Sequence, residues 1–581
     1  MTAALYGIGV CKGVGIGPAY VLNGDELNIP EIRIDEDEID AEIERFENAI
    51  ELARQDLDEI RRRVPSRSPL DLSSFIDTHL LMLADDALVK VPAETIRSRR
   101  CNAEWALKLQ RDALIQIFRQ MEDPYLRTRI DDVNYVVQQV QRILLNHPGH
   151  FGETIDLPLK GHIVVADDLS PAEIILLQHR GISALVTEFG GSTSHTAIMA
   201  RSIGVPAVVG ASHLRRFVLD QELVIVDADR GLIILTPTEQ ITAYYRCRQH
   251  EQAVRRDALA RLKGRPTVSG DQQAITLLAN IEVPEDVAAV RQVAAEGVGL
   301  FRTEYLYMNR ETPPDEEEQY EAFRSVVECI GGPVTIRTLD VGGDKKAAFL
   351  SAGSGRIANP ALGLRAVRLC LREQSLFRPQ LRAILRASVH GDVRLMLPMI
   401  STVDEVIQVR QLVEELKAEL RRDGLGFDEN ISVGGMVETP AAALCAPMLL
   451  RYLDFLSLGT NDLIQYTIAT DRMDESVNYL YDPLHPAVLR LIQLTIEAGY
   501  QAGKAVSLCG EMAGDARFTF LLLAMGLREF SVHPGQFLEV KSRIADCHIA
   551  GIQDRFLAAI ASGDPRRIRE TVDDFNQSVN D

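Results

Sequence analysis

The chain has no apolar run long enough to span a bilayer, and Met1 to Pro18 lacks the layout of a secretory signal. Both absences point away from insertion and export, so a cytoplasmic protein is expected. Cysteine is present but unorganised: there are 8, with no CxxC pair and no zinc-ligand spacing. That excludes a disulfide framework or structural zinc site and implies reduced thiols, mostly in the core. Positive charge is in deficit, with 62 Lys and Arg against 83 Asp and Glu, a formal net charge of −21. General nucleic-acid binding is disfavoured. An acidic face for a basic protein partner stays open, and an anionic small substrate needs a local cationic pocket. What remains is ordinary globular material, 46% apolar and 25% charged. At 581 residues there is more of it than one domain usually holds.

Glycine-rich strand-like segments open the chain, Gly7–Val10 and Gly13–Gly17, followed by Ala19–Leu22. From Ile39 to about Leu145 apolar residues such as Ile43, Phe46, Ile50, Leu57 and Ile60 recur among charges, which predicts amphipathic helices punctuated by Pro92 and Pro124. This reads as a helical bundle inserted after the first strand. Strand–helix alternation returns at Ile163–Ala166, a helix from Pro171, Ala184–Thr187, Ala207–Val209 and Leu223–Val226. Glu239 to Lys263 predicts a charged helix, a candidate linker ended by Gly264 and Pro266. Beyond it lie eight strand candidates: Ile275–Asn280, Gly297–Arg302, Val334–Arg337, Val393–Pro398, Ser432–Glu438, Phe455–Gly459, Ala505–Cys509 and Glu529–Val532. Eight strands separated by helices predict a (β/α)8 barrel.

The stretch Gly190-Gly191-Ser192-Thr193-Ser194-His195-Thr196-Ala197 places a histidine where a glycine turn meets an apolar run at helical spacing. A helix start offers free N–H groups and the positive end of the dipole, so an imidazole there can take up a phosphoryl group. The plainer reading is that Ser194 or a neighbour caps a helix and the histidine is incidental.

Barrel enzymes gather reacting groups at the C-terminal ends of strands. Here those ends carry Arg302 and Glu304, Arg337 and Asp340, Glu438, Asn461 and Asp462, then Cys509 and Glu511. Arginine suits phosphate and carboxylate. Glu438 and Asp462 offer the hard oxygens that Mg²⁺ takes in ones and twos. Cys509 is either core filler or a proton donor. His533, at the eighth strand end, is ambiguous between a functional and a structural role, and the structural one is the safer assignment.

Several long motifs stand in one order: GGSTSHTAIMAR at His195, GVGLFRTEYLYM at Arg302, IRTLDVGGDK from Ile336 to Lys345, and NPALGLRAVR at Arg365. GGMVETPAA at Glu438, FLSLGTNDLIQYT at Asn461 and Asp462, and LCGEMAGD at Cys509 follow. Together they resemble the phosphoenolpyruvate-utilising enzyme family, in particular enzyme I of the bacterial phosphotransferase system, over nearly the whole chain. The resemblance implies an α/β multidomain protein. A swivelling phosphohistidine domain (1–35 and 147–238) would carry an inserted helical carrier-docking domain (36–146). A helical linker (239–266) and a phosphoenolpyruvate-binding TIM barrel (267–581) would follow. It implies that His195 carries the phosphoryl group, that Arg302, Arg337, Arg365 and Lys345 surround phosphoenolpyruvate, and that Asn461 and Arg472 contact it. Glu438 and Asp462 would ligate Mg²⁺, and Cys509 would protonate the enolate to give pyruvate. An HPr-type carrier would dock near Phe75–Met82 and take the phosphoryl group on its own histidine. A homodimer through the barrel is also implied. Two stretches depart from the family pattern. Leu83–Ala87 is less acidic than expected, and Phe530–Pro534 is similar to variants serving regulatory branches. A dikinase would share the histidine and barrel, but the N-terminal stretch lacks a glycine-rich nucleotide loop. A purely regulatory relative would not need the reactive side chains.

Overall fold

The structure is a computed structural model. It describes residues 2–22, 29–63, 70–120, 124–145, 159–169, 174, 177, 180–191, 194, 196–197, 199–200, 204–308, 310, 312–341, 359, 361–472, 474 and 476–578. His195, Lys345 and Pro171 lie outside these residues. The chain divides into two compact units, Met1–Arg256 and Asp257–Asp581.

The first unit is built on eight strands: β1 (Ala3–Tyr6), β2 (Ile8–Cys11), β3 (Val14–Val21), β4 (Ile163–Ala166), β5 (Ala184–Thr187), β6 (Ala207–Val209), β7 (Leu223–Asp227) and β8 (Leu232–Leu235). Their order is β1-β8-β7-β3-β4-β5-β6-β2, so consecutive strands joined through Gly7 sit at opposite edges. One linking residue spans only a few ångströms. The sheet must therefore curl until its edges nearly meet. Gly9 permits this closeness, since a Cβ there would lie 1.9 Å from the Ala228 carbonyl oxygen.

The helical insertion follows the third strand rather than the first. The two early glycine-rich segments form strands of the same sheet, and β3 then pairs in parallel with β4 across the insertion. Among the described residues five helices make it: α1 (Ile39–Arg63), α2 (Leu70–Met82), α3 (Asp86–Arg99), α4 (Ala103–Gln120) and α5 (Pro124–Leu144). Their apolar faces share one core around Phe46, Ile76, Leu83, Ile96, Leu107 and Val137. Pro124 opens α5, where a missing N–H costs nothing. Pro92 does not break the chain as its type suggests. It lies inside α3 with its ring buried, where apolar packing offsets the lost hydrogen bond. The helix Glu239–Ala260 begins against the sheet: Tyr245 Oη meets Asp227 at 3.2 Å and Arg248 meets it at 2.5 Å.

In the second unit β9 (Thr276–Ile281), β10 (Val298–Arg302), β11 (Val334–Arg337), β12 (Val393–Leu397), β13 (Ser432–Val437), β14 (Phe455–Leu458), β15 (Ala505–Leu508) and β16 (Glu529–Val532) close into a barrel. Every neighbouring pair is parallel, β16 against β9 included. The main core lies between strands and outer helices, and Leu300, Met396, Met436, Phe455 and Cys509 form a separate buried cluster. This is the predicted barrel, with strand ends shifted by a residue or so. Among the described residues no helix is long and apolar enough to cross a membrane, and the cysteines are thiols rather than disulfides.

Candidate active site

The C-terminal strand ends bring together charges that are far apart in sequence. Arg337, the last residue of β11, is buried and donates to Glu304 at 2.7 Å. Its other nitrogen lies 3.3 Å from Asp340 and 3.9 Å from Glu438. Arg365 donates to Asp340 at 2.9 Å and approaches Asp462 at 4.0 Å. Burial works against the Arg337 cation, but Glu304, Asp340 and Glu438 outweigh it and raise its pKa. Among the described residues, two guanidinium groups thus face four carboxyl groups. With all four ionised the cluster carries two uncompensated negative charges, a costly state in a buried site. Burial first, then Asp462 and Asp340, pushes the Glu438 carboxyl up to about 8.

That surplus is what a divalent cation removes. Asp340, Glu438 and Asp462 each present an oxygen within 4.8 Å of the others. Asp340 is engaged by both arginines, and one Glu438 oxygen accepts the Met399 N–H at 2.8 Å. The other Glu438 oxygen and Asp462 are the best placed of the three for an ion, and hard carboxylate oxygens fit Mg²⁺ chemistry. Gly459 brings β14 against this carboxylate: a Cβ there would sit 2.6 Å from Glu438 Cγ.

Cys509 lies one residue past β15, 3% exposed, with its Sγ 3.2 Å from Ser457 Oγ. Burial raises its thiol pKa, opposed by the Ser457 hydroxyl. Glu438 adds to the rise, while Arg337 and Arg302 oppose it, so the thiol faces the charge cluster. Asn461 and Glu511 brace each other, amide to carboxylate at 3.0 Å and backbone N–H to amide oxygen at 2.9 Å. Arg302 pairs with Glu282 at 2.5 Å and is partly exposed. Arg472 is exposed, and its charge acts on Tyr481. Neither of these two arginines joins the Arg337–Arg365 cluster in direct contact. His533 Nδ1 accepts from Gly535 N–H at 3.1 Å and so caps the helix Pro534–Asp546, the structural role expected of it.

Ser194 Oγ accepts from Ala197 N–H at 3.3 Å, and Thr196 Oγ1 donates to Asp168 at 2.8 Å. The Ser194 hydroxyl thus makes the contact expected of a helix cap, beside His195, which lies outside the described residues.

Supporting residues escaped the sequence reading. Gln380, fully buried on the helix Gln374–Ala387, accepts from Leu339 N–H at 2.9 Å and donates to Thr303 Oγ1 at 3.1 Å. Thr303 in turn donates to the Arg337 carbonyl at 2.9 Å. Tyr466 meets Arg365 at 3.4 Å and the Ala361 carbonyl at 2.5 Å. Tyr466 stands inside the FLSLGTNDLIQYT motif, so a signal existed. Gln380 stands outside every one of the motifs, and nothing local marks it.

Known proteins resemble this chain over nearly its whole length. The family model described as PEP-utilising enzyme, PEP-binding domain, matches residues 256–549. The N-terminal and mobile-domain models of the same enzymes match 6–129 and 157–231. A phosphoenolpyruvate-protein phosphotransferase of Cupriavidus necator is 44% identical over 97% of this chain and 98% of its own. One from Priestia megaterium is 39% identical over 98% of this chain and 99% of its own. Among solved structures, an NMR structure of an Enzyme I protein matches 43% of this chain and 99% of that one, at 26% identity and a TM-score of 0.38.

Proposed function

The chain belongs to the phosphoenolpyruvate-utilising enzymes, with the phosphoenolpyruvate-protein phosphotransferases as its relatives, and from that premise we propose how its own residues carry the reaction. The protein takes the phosphoryl group of phosphoenolpyruvate onto His195, releases pyruvate, and passes the group to a histidine of an HPr-type carrier, the first step of the phosphotransferase system. The observation that carries this reading is the buried pair Arg337 and Arg365 set among Glu438, Asp462 and the Cys509 thiol. Guanidinium forks hold the phosphate and carboxylate of the substrate and offset charge developing on the transferred group. Arg302, Lys345, Asn461 and Arg472 complete the substrate contacts. Mg²⁺ held by Glu438 and Asp462 supplies Lewis-acid stabilisation of substrate oxygens when bound.

His195 attacks phosphorus as the bond to the enolate oxygen breaks, and that oxygen keeps the electron pair. The Cys509 thiol then gives its proton to the enolate carbon, leaving pyruvate. His195 belongs to the first unit and the cluster to the second. One imidazole must serve the barrel and then the carrier, so a hinge between the units is required, with the helix Glu239–Ala260 as its candidate. For the carrier, α2 supplies an exposed Leu81 beside a buried His79 fixed to Asp132 at 3.2 Å. A homodimer through the barrel is supported by exposed Leu444, Met448 and Tyr500 on its outer helices. Thiols without disulfides suit a cytoplasmic setting.

Incubation with phosphoryl-labelled phosphoenolpyruvate and Mg²⁺ tests the reading. Label is expected on the protein, labile in acid, and absent from His195→Ala. An unlabelled intact protein would sink it. Transfer from the labelled protein to purified carriers identifies the acceptor.

A further inference from the structure

Beneath the charge cluster a line of hydroxyls runs across two strands. Ser457 on β14 and Ser507 on β15 are register partners, and their oxygens lie 3.0 Å apart. Ser457 Oγ is 3.2 Å from Cys509 Sγ. All three side chains are buried. Carbonyl acceptors close both ends, Leu458 O at 3.7 Å from the sulfur and Leu456 O at 3.5 Å from Ser507 Oγ. The cysteine is fixed besides. Its N–H donates to Leu458 O at 3.1 Å, and Asn280 Nδ2 donates to its carbonyl at 3.1 Å, with Ser531 bracing Asn280 at 2.6 Å.

Such a chain has two proton arrangements, because each hydroxyl donates once and accepts as well. In one, the thiol donates inward to Ser457, Ser457 to Ser507, and Ser507 to Leu456 O. In the other, Ser507 donates to Ser457 and Ser457 donates to the sulfur, which frees the S–H proton to leave outward. A thiolate has no proton to give, so only the second arrangement survives proton delivery. We propose that Ser457 is a positioning residue for pyruvate formation: its hydroxyl, oriented by Ser507, directs the Cys509 proton outward and then donates to the sulfur left behind. The S–H bond breaks, its proton goes to the enolate carbon, and sulfur keeps the pair. A solvent proton restores the thiol after product leaves. This rests on Cys509 being the acid.

The test is single-turnover pyruvate release by the full chain with phosphoenolpyruvate and Mg²⁺, followed across pH by coupled lactate dehydrogenase. The variants are Ser457→Ala, Ser507→Ala, Cys509→Ala and the double variant Ser457→Ala/Cys509→Ala. The groups facing the thiol are Glu438, Arg337 and Arg302, and none is altered. Loss of a donor to a charged sulfur predicts a rate lowered roughly ten- to a hundredfold for Ser457→Ala, at unchanged substrate affinity. A donor to the thiolate lowers the thiol pKa, so its removal moves the alkaline limb of the profile to higher pH. Ser507→Ala shifts both in the same sense by less, and the double variant is no slower than Cys509→Ala. An unmoved limb, or an equal Ser457→Ala loss in the Cys509→Ala background, overturns the inference while leaving the acid in place. Wild-type release by Cys509→Ala overturns the acid assignment itself.

Discussion

At the scale of the residue, the site is decided by close approaches between groups that each carry a solvation cost. Arg337 is held by three carboxyl groups, and removing it would leave them buried without their shared cation. Arg337→Ala is expected to abolish phosphorylation by phosphoenolpyruvate and to cost about 3–5 kcal/mol of barrel stability, the range for breaking a buried ion pair from one side. Thermal melts and the labelling assay check both. Gly459 makes a subtler prediction. Its φ is ordinary, so Gly459→Ala strains no backbone, but the new methyl meets Glu438 Cγ. The Mg²⁺ concentration for half-maximal labelling should rise about tenfold, as when a supporting residue of a metal ligand is disturbed. An unchanged activation curve would mean that Glu438 does not hold the ion.

At the scale of the element, the barrel is tied by contacts remote from the site. Asp271 accepts from Ser269 Oγ at 2.6 Å and, on its second oxygen, from Ala550 N–H at 3.1 Å, at the start of the helix Ile549–Ser562. The Ser269 hydroxyl and those helix N–H groups hold its carboxyl down to about 2. A depressed carboxyl pKa adds stability above the ordinary value of about 4 and loses it as pH falls toward 2. The melting-temperature gap between wild type and Asp271→Ala should therefore narrow between about pH 4 and about pH 2. The helical insertion gives a second test, since β3 and β4 are already neighbours. Replacing 36–146 by a short flexible linker should leave the curled sheet folded, since the flanking residues still span the crossover. That protein should still label on His195 and fail to pass the group to a carrier.

At the scale of the whole molecule, two compact units predict two unfolding transitions in calorimetry. In His195→Ala, which cannot take up the phosphoryl group, phosphoenolpyruvate with Mg²⁺ should raise the barrel transition alone, by about 2.7 kcal/mol at a hundred times the dissociation constant. Equal shifts of both transitions would place ligand contacts in the first unit as well.

The barrel was legible because a buried parallel strand needs a short apolar run, and eight such runs recur between helical stretches, several of them ending in polar residues where the chain leaves the core. The site motifs were legible for the same reason: Arg337, Glu438 and Cys509 stand at those exits. The sheet of the first unit was read less well. Its two edge strands are short, and nothing local says that neighbours in sequence lie at opposite edges. Pro92 misled because a local rule about proline yields to packing. Sequence alone determined which charged side chains and which thiol stand at the barrel's strand ends, and roughly where its strands begin and end. Only the tertiary structure decided that Asp340 is spent on two arginines while Glu438 and Asp462 face a surplus of charge, and that Ser457 reaches Cys509. Those distances mostly join residues on different strands, far apart along the chain. Burial, which fixes what each charge costs, exists only once the barrel has closed.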